Sequence, residues 1–367
     1  MPVFGIDNHQ NHQNHQNHQN HQNHQNHQNH QNHQATENHQ SGPDSGFTGA
    51  ALGMARDGTV GFWDGSPDRE PHPNGRDSWA ALKAMETGPR RAVLDQALTG
   101  MFGVSLDTST DTNDEGRVTL GGETIVTLKK PTNAFLAEHQ LGFLRTYADL
   151  RGDRLSEIVM QTGDIQSFFA LVGYMAPDAT KWTLALNQAI YRLCTMIEQP
   201  LKHAFDVARP IAMTAKVQPI IQTPGHGSWP SGHATESFAS ATLLTRLFYN
   251  RAFDPVQQIA DGNELYRHAE RIAMNRTVAG VHFPTDSMAG AVLGVTLAEA
   301  LVRLLDGETE VKARTFHGDA YAGDFTLKAL TDALAGNTII ETTSVTLTAD
   351  IIPAWLRRMW ADAKEEW

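Results

Sequence analysis

From about Thr132 to Asp306 apolar residues recur with a 3.6-residue period, and this run restricts the chain to a helical core more tightly than any other feature. The stripes cover Ala134–Leu150, Leu155–Met175, Ala179–Gln199, Ala234–Tyr249, Pro255–Met274 and Asp286–Leu305. Amphipathic helices of this length bury their apolar faces against one another, so the prediction is a mostly α protein built on a helical bundle. Strand patterns are minor. Val118–Leu128 alternates apolar and polar residues around Gly121-Gly122, as a two-strand hairpin does, and Thr338–Leu347 is a second β-like run. Both are expected as small peripheral β-hairpins.

The flanks divide the chain further. Residues 8–34 are nine consecutive Asn-His-Gln triplets, which offer no apolar position to a core, so residues 1–40 are expected to be a disordered tail. Residues 41–131 form an N-terminal wrapping region. It has a Gly/Pro/Asp/Ser-rich start with Phe62 and Trp63 as anchors, helices over Trp79–Glu86 and Arg90–Met101 separated by Thr87-Gly88-Pro89, and the hairpin. Residues 132–306 are the helical bundle, and 307–367 a C-terminal cover ending in an amphipathic segment with Trp355, Trp360 and Trp367. Those tryptophans and the apolar bundle faces suggest a homodimer.

Composition excludes several classes of function. Twenty-nine Lys+Arg against 41 Asp+Glu give a formal charge of −12, which repels nucleic acid and anionic membrane faces. A single cysteine, Cys194, rules out an internal disulfide and a multi-cysteine zinc site. The N-terminus lacks the basic and apolar regions of a signal peptide, and the best spanning candidate, Ala289–Leu305, is interrupted by Glu299 and Arg303 and falls short of about 20 apolar residues. The expectation is a chain with no membrane partner, cytoplasmic by default.

Three short patterns inside the helical region carry the chemistry. In Lys202-x6-Arg209-Pro210 the seven-residue separation corresponds to two helical turns, so both cations are expected on one helix face, with Pro210 ending that helix. Pro230-Ser231-Gly232-His233 enters the Ala234–Tyr249 helix through a turn of small residues, and a helix N-terminus of this kind binds anions through free N–H groups and its dipole. There Gly232 admits an oxyanion, Ser231 adds a hydroxyl and His233 a titratable ring. In Arg276-x5-His282-x3-Asp286, Pro284 suits a first helical position, which puts Asp286 about one turn beyond His282. A carboxylate so placed fixes the imidazole tautomer and raises the basicity of its far nitrogen.

Each pattern alone describes an ordinary helix face or a structural histidine. Together they gather three cations in a bundle interior, at a cost of several kcal/mol each unless a counter-charge is present. Asp206 and Asp286 would neutralise two, whereas a tetrahedral oxyanion uses the Arg forks, the hydroxyl and the backbone N–H at once. The motifs resemble those of the type 2 phosphatidic-acid phosphatases and vanadium-dependent haloperoxidases, and the helical order over 132–306 is similar as well. The resemblance implies that Lys202, Arg209, Ser231, Gly232 and Arg276 hold the oxyanion. It further implies that His282 bonds the central vanadium of a vanadate cofactor, or the phosphorus of a phosphate in the same site, and that His233 is the acid–base residue, with Lys202 and Asp286 also catalytic.

Two activities are implied: peroxidase oxidation of a halide by hydrogen peroxide at vanadate, and hydrolysis of a phosphate ester through a phosphohistidine. The length beyond the minimal bundle, and His226 seven residues before His233 as in algal bromoperoxidases, resemble the soluble haloperoxidase branch. His226 then tunes the halide step, or serves only as a hydrogen-bonding loop residue; Trp229 lines the pocket, or packs beneath the loop. Gln199 stands where some haloperoxidases have an aromatic residue, three before the lysine, and Asn275 where a serine is usual before the third-motif arginine. Glu236 is read as favouring the helix dipole. His72, His139, His203, His268 and His317 match no motif. A reading from another class is a His-rich metal-binding or scaffold protein whose functional part is the tail.

Overall fold

The longest helix of the bundle forms because Trp182, Leu186, Ile190, Leu193, Ile197, Leu201 and Phe205 fall on one buried stripe along Lys181–Phe205. A computed structural model describes residues 46–59, 64–67, 75–106, 114–249 and 253–367; the Asn-His-Gln repeat, Phe62, Trp63 and His72 lie outside them. The chain divides at residue 75. In the first unit Gly46–Thr59 is helical. The second unit, residues 76–367, is mostly helical with a small mixed sheet.

Five helices frame the site: α1 Arg151–Met160, α2 Lys181–Phe205, α3 Gly232–Tyr249, α4 Glu264–Val278 and α5 Pro284–Leu305. The most extensive packing is between α3 and α5. Gly290 and Gly294 make it possible, since a Cβ at either would collide with the carbonyl oxygen of Ser231 or Thr235. The first turn of α5 is thereby fixed beside the first turn of α3, and Ser231 donates its N–H to the Asp286 carbonyl at 2.9 Å.

Several expected helices have other limits. The 134–150 stripe breaks into Asn133–His139, Leu141–Tyr147 and a short 3-10 turn. At the break, buried Gln140 donates to the carbonyls of Tyr321 and Gly323 and accepts from Thr285 N–H at 3.0 Å, a set of tertiary ties that periodicity does not reveal. The 155–175 stripe stops at Met160, where Asp164 accepts from Ser167 N–H and opens the short helix Gln166–Phe169. The 255–274 stripe divides at Asp261-Gly262-Asn263, and Asn263 caps α4. Helix α2 runs through Pro200 to Phe205, while Thr87–Met101 holds Pro89 in its first turn, where proline is tolerated.

The hairpin forms as expected, with β2 Glu115–Leu120 and β3 Glu123–Lys129 around the positive-φ pair Gly121-Gly122, but it does not stand alone. Strands β1 Phe102–Leu106, β4 Glu310–His317 and β5 Ile340–Thr346 complete a sheet of order β1-β2-β3-β4-β5, parallel only between β3 and β4. Val118, Leu120, Val126 and Leu128 are fully buried, and β3 and β4 pack against α5. The wrapping and cover segments therefore share one sheet. Arg314 of β4 reaches Glu299 of α5 at 2.7 Å, and Glu299 also binds Arg303 at 3.0 Å. Helix α5 is long and apolar enough to cross a bilayer, yet 94% of its most apolar window is buried inside this protein.

Candidate active site

The Lys202 and Arg209 heads meet, though not along one helix face. Helix α2 ends at Phe205, Asp206 takes a left-handed conformation (φ 41°), and Arg209 lies in extended backbone before Pro210 starts a new short helix. The reversal at Asp206, whose N–H donates to the Lys202 carbonyl, turns the chain back toward the end of α2. Pro210 thus opens a helix, as proline favours at a first position.

Lys202, Arg209, Gly232, His233 and His282 line one cavity of about 550 Å³, together with Gln161, His226, Glu198 and Glu236. Arg276 and Ser231 are buried just behind this wall, at 1% and 0% exposure. Trp229 does not line the cavity. It is fully buried beneath the loop, against Phe205 and Phe316, because a ring of that size fills the gap between the bundle and β4.

His282 is the most constrained ring. Its Nδ1 lies 2.9 Å from Asp286 Oδ2 and its Nε2 lies 3.0 Å from Arg209 Nη1. Guanidinium only donates, so Nε2 accepts and the ring proton resides on Nδ1, donated to Asp286. Burial, reinforced by Arg209 and Lys202, pushes the His282 pKa well down and keeps the ring neutral. Asp286 also accepts from Phe283 N–H at 3.0 Å, the reason a carboxylate suits the third position of α5. Burial nevertheless raises its pKa to about 7.

Arg209 makes five hydrogen bonds: to His282, to the carbonyls of Val281, His226 and Gly227, and to His226 Nδ1 at 3.2 Å. His226 is thereby seated on the guanidinium. Arg276 is different. Its Nη2 donates to the Ile158 carbonyl and to Gln161 Oε1, while its Nε and Nη1 are buried without partners. Burial pulls its pKa down to about 10. Ser231 Oγ is a further buried atom without a partner. Lys202 donates to the Pro230 carbonyl, and burial lowers its pKa. His233 has its Nε2 2.8 Å from the Gln161 carbonyl, and burial followed by Arg276 brings its pKa to about 3, so this ring is neutral before an anion arrives.

Two residues central to this arrangement, Gln161 and Glu198, went unrecognised in the sequence, and Asn275 stood out there only as a departure from the motif pattern. Gln161 follows α1 and ties Arg276, Asn275 and His233 together. Asn275, fully buried where a serine is usual, donates to Gln161 and Glu157 and accepts from Arg154. Glu198 is 4% exposed, with Oε2 unpartnered. Glu236, assigned to the helix dipole, faces the same cavity and accepts from Thr195, while burial and then Glu198 raise its pKa to about 8. A Glu four residues before a Lys, and a Glu in a first helical turn, both read as ordinary surface features. His139, His203, His268 and His317 stay away from this cavity.

Paired imidazoles, buried guanidiniums and a Ser-Gly helix start gather around one cavity of a helical bundle. Residues 182–310 match the family model described as PAP2 superfamily, the superfamily that the three motifs resemble. A vanadium-dependent bromoperoxidase from Ascophyllum nodosum is 32% identical over 123 residues, which take in 28% of this chain and 22% of that protein. A solved transmembrane PAP2 type phosphatidylglycerolphosphate phosphatase from Bacillus subtilis aligns with 48% of this chain and 88% of its own, at 21% identity and a TM-score of 0.35.

Proposed function

We propose that this protein is a vanadium-dependent haloperoxidase that oxidises halide with hydrogen peroxide. The observation carrying this reading is the seating of His226 on Arg209, with His282 bound to the same guanidinium. Two imidazoles at one oxyanion end suit a site that must both anchor an anion and handle protons beside it. The identity with an algal bromoperoxidase supports the same direction.

The residues fit a tetrahedral oxyanion. Arg276 Nε and Nη1 and Ser231 Oγ are buried donors lacking acceptors, and groups of this kind are rare unless a ligand completes them. Lys202, Arg209, Arg276, Ser231 and Gly232 would hold vanadate and His282 Nε2 would bond it. Once bound, vanadate supplies Lewis-acid activation of peroxide. The chain's own work is then electrostatic. Asp286 keeps the proton on His282 Nδ1, leaving Nε2 as the coordinating atom once Arg209 Nη1 releases it. An anion in the cradle offsets the field of Arg276 and raises the basicity of His233, readying that ring to take a proton.

A second reading is phosphomonoester hydrolysis through a phosphohistidine on His282, since the same unpartnered donors, Arg276 Nε and Nη1 and Ser231 Oγ, suit a phosphoryl group as well as vanadate. The test incubates purified protein with and without orthovanadate, then measures bromination of a phenolic dye with peroxide beside hydrolysis of a chromogenic phosphate ester. Vanadate-dependent bromination is the expected result. Ester hydrolysis that vanadate inhibits, with no bromination, overturns the first reading for the second. The scaffold alternative is separated by deleting residues 8–34, which leaves turnover unchanged if the bundle is the enzyme.

A further inference from the structure

The unsatisfied atoms around this cavity sort by polarity. On the cradle side they are mostly donors, Arg276 Nε and Nη1, Ser231 Oγ and Gln161 Nε2, with Asp286 Oδ1 an acceptor behind His282. The cavity wall also holds two buried acceptors without donors, Glu198 Oε2 and Gln166 Oε1. Glu198 sits hard against the cradle, for a Cβ on Gly232 would lie 2.5 Å from its Oε1. Four residues along the helix, Lys202 donates to the Pro230 carbonyl and leaves Glu198 Oε2 open. Glu236 stands close enough to Glu198 for the two charges to oppose each other, and it has only the Thr195 hydroxyl as a donor. An oxyanion satisfies the cradle's donors and cannot satisfy the acceptors of the wall.

We propose that Glu198 and Glu236 receive an alkylammonium group, so that the small molecule taken into this cavity carries a positive charge beside the oxyanion cradle. An ammonium brings up to three donors and a charge to two carboxylates that otherwise repel. Burial holds both carboxyls above their ordinary range, Glu236 at about 8, and a cation between them lowers both. Tyr191 and Thr195 line the same wall, and the Tyr191 hydroxyl is already engaged with Ser240 and Asn187, which leaves the carboxylates as the groups free to bind.

The inference shares its cavity with the proposed oxyanion site, so the test separates them. Calorimetric titration of the full chain uses three probes: ethylammonium, 2-aminoethyl phosphate and its isostere propyl phosphate, which lacks the ammonium charge. The aminoethyl ester is expected to bind at least tenfold tighter than the propyl ester, and Glu198→Gln is expected to erase that advantage while keeping propyl phosphate affinity within a few-fold. Glu236→Gln serves as the second variant, and thermal unfolding of each checks that it folds. Equal affinities for the two esters in the parent protein, or a preference that survives in both folded variants, overturns the ammonium site. Binding of ethylammonium that depends on Glu198, with neither ester bound, upholds the ammonium site and removes the oxyanion reading.

Discussion

Arg209 Nη1 lies 3.0 Å from Nε2 of His282, so the nitrogen suited to bond vanadium or phosphorus is held by a guanidinium. An oxyanion in the proposed cradle would take over that contact, and Arg209 would exchange a neutral acceptor for an anionic one, a stronger hydrogen bond. Arg209→Lys removes the fork and should lower vanadate or phosphate affinity by roughly ten- to a hundredfold, the size of one charge-assisted bond. Titration with orthovanadate measures this; affinity unchanged in a folded variant excludes Arg209 from the cradle. His282→Ala should abolish turnover in either assay.

The first turns of α3 and α5 meet because two glycines let the helices touch, which yields a paired expectation. Gly294→Ala drives a methyl into the Thr235 carbonyl and should cost about 1–3 kcal/mol, more than the helix propensity it gains. Gly142→Ala, in a helix with nothing near the new Cβ, should instead stabilise by about 0.5–1 kcal/mol. Opposite shifts in thermal midpoint are the signature, and shifts of the same sign would disprove the close-packing account.

How far the sequence foretells this site depends on whether the governing force is local. Pro284 and Asp286 announce their helix start because capping and dipole effects act within one turn. Glu198 was hidden because tertiary folding alone decides whether a Glu-x3-Lys pair faces water or a cavity. Lys202 and Arg209 converge as expected but by another route, since the reversal at Asp206 substitutes for two helical turns. Strand β4 escaped notice because Arg314 interrupts its apolar pattern, a charge tolerated there only through Glu299.

That buried pair gives its own expectation. Glu299→Ala leaves Arg314 uncompensated in the core and should destabilise by about 3–5 kcal/mol. Replacing both residues with Met should recover most of the loss, because the buried Arg314 charge is gone and Arg303, which also loses Glu299, keeps Glu308 at 2.6 Å. Chemical denaturation of the single and double variants decides it, and a double variant as unstable as the single one counts against the argument.

If His226 serves the halide step, His226→Ala should change bromination kinetics while altering vanadate affinity by less than about threefold, since Arg209 loses one long bond to a neutral acceptor and keeps its four others. Unaltered bromination kinetics would leave His226 as a loop residue that positions the guanidinium.

The pH dependence of stability follows from groups displaced in opposite directions. Glu236, raised from 4.5 to about 8, and Asp286, raised from 3.8 to about 7, bind more protons in the folded chain than in the unfolded one. Their contribution is complete below the unfolded values and is lost as pH rises through the folded ones. His233, lowered from 6.5 to about 3, acts in the other sense: its contribution is present above 6.5 and disappears as pH falls toward 3. Glu236→Gln carries a neutral group at every pH, so its thermal midpoint should match the parent near pH 5 and exceed it by pH 9. Glu198→Gln removes the like charge that helps raise Glu236, which should narrow the alkaline loss without eliminating it. Calorimetric scans at pH 5, 7 and 9 provide the comparison, and an alkaline slope equally steep in the parent and in Glu236→Gln would show that Glu236 is already ionised in the folded protein.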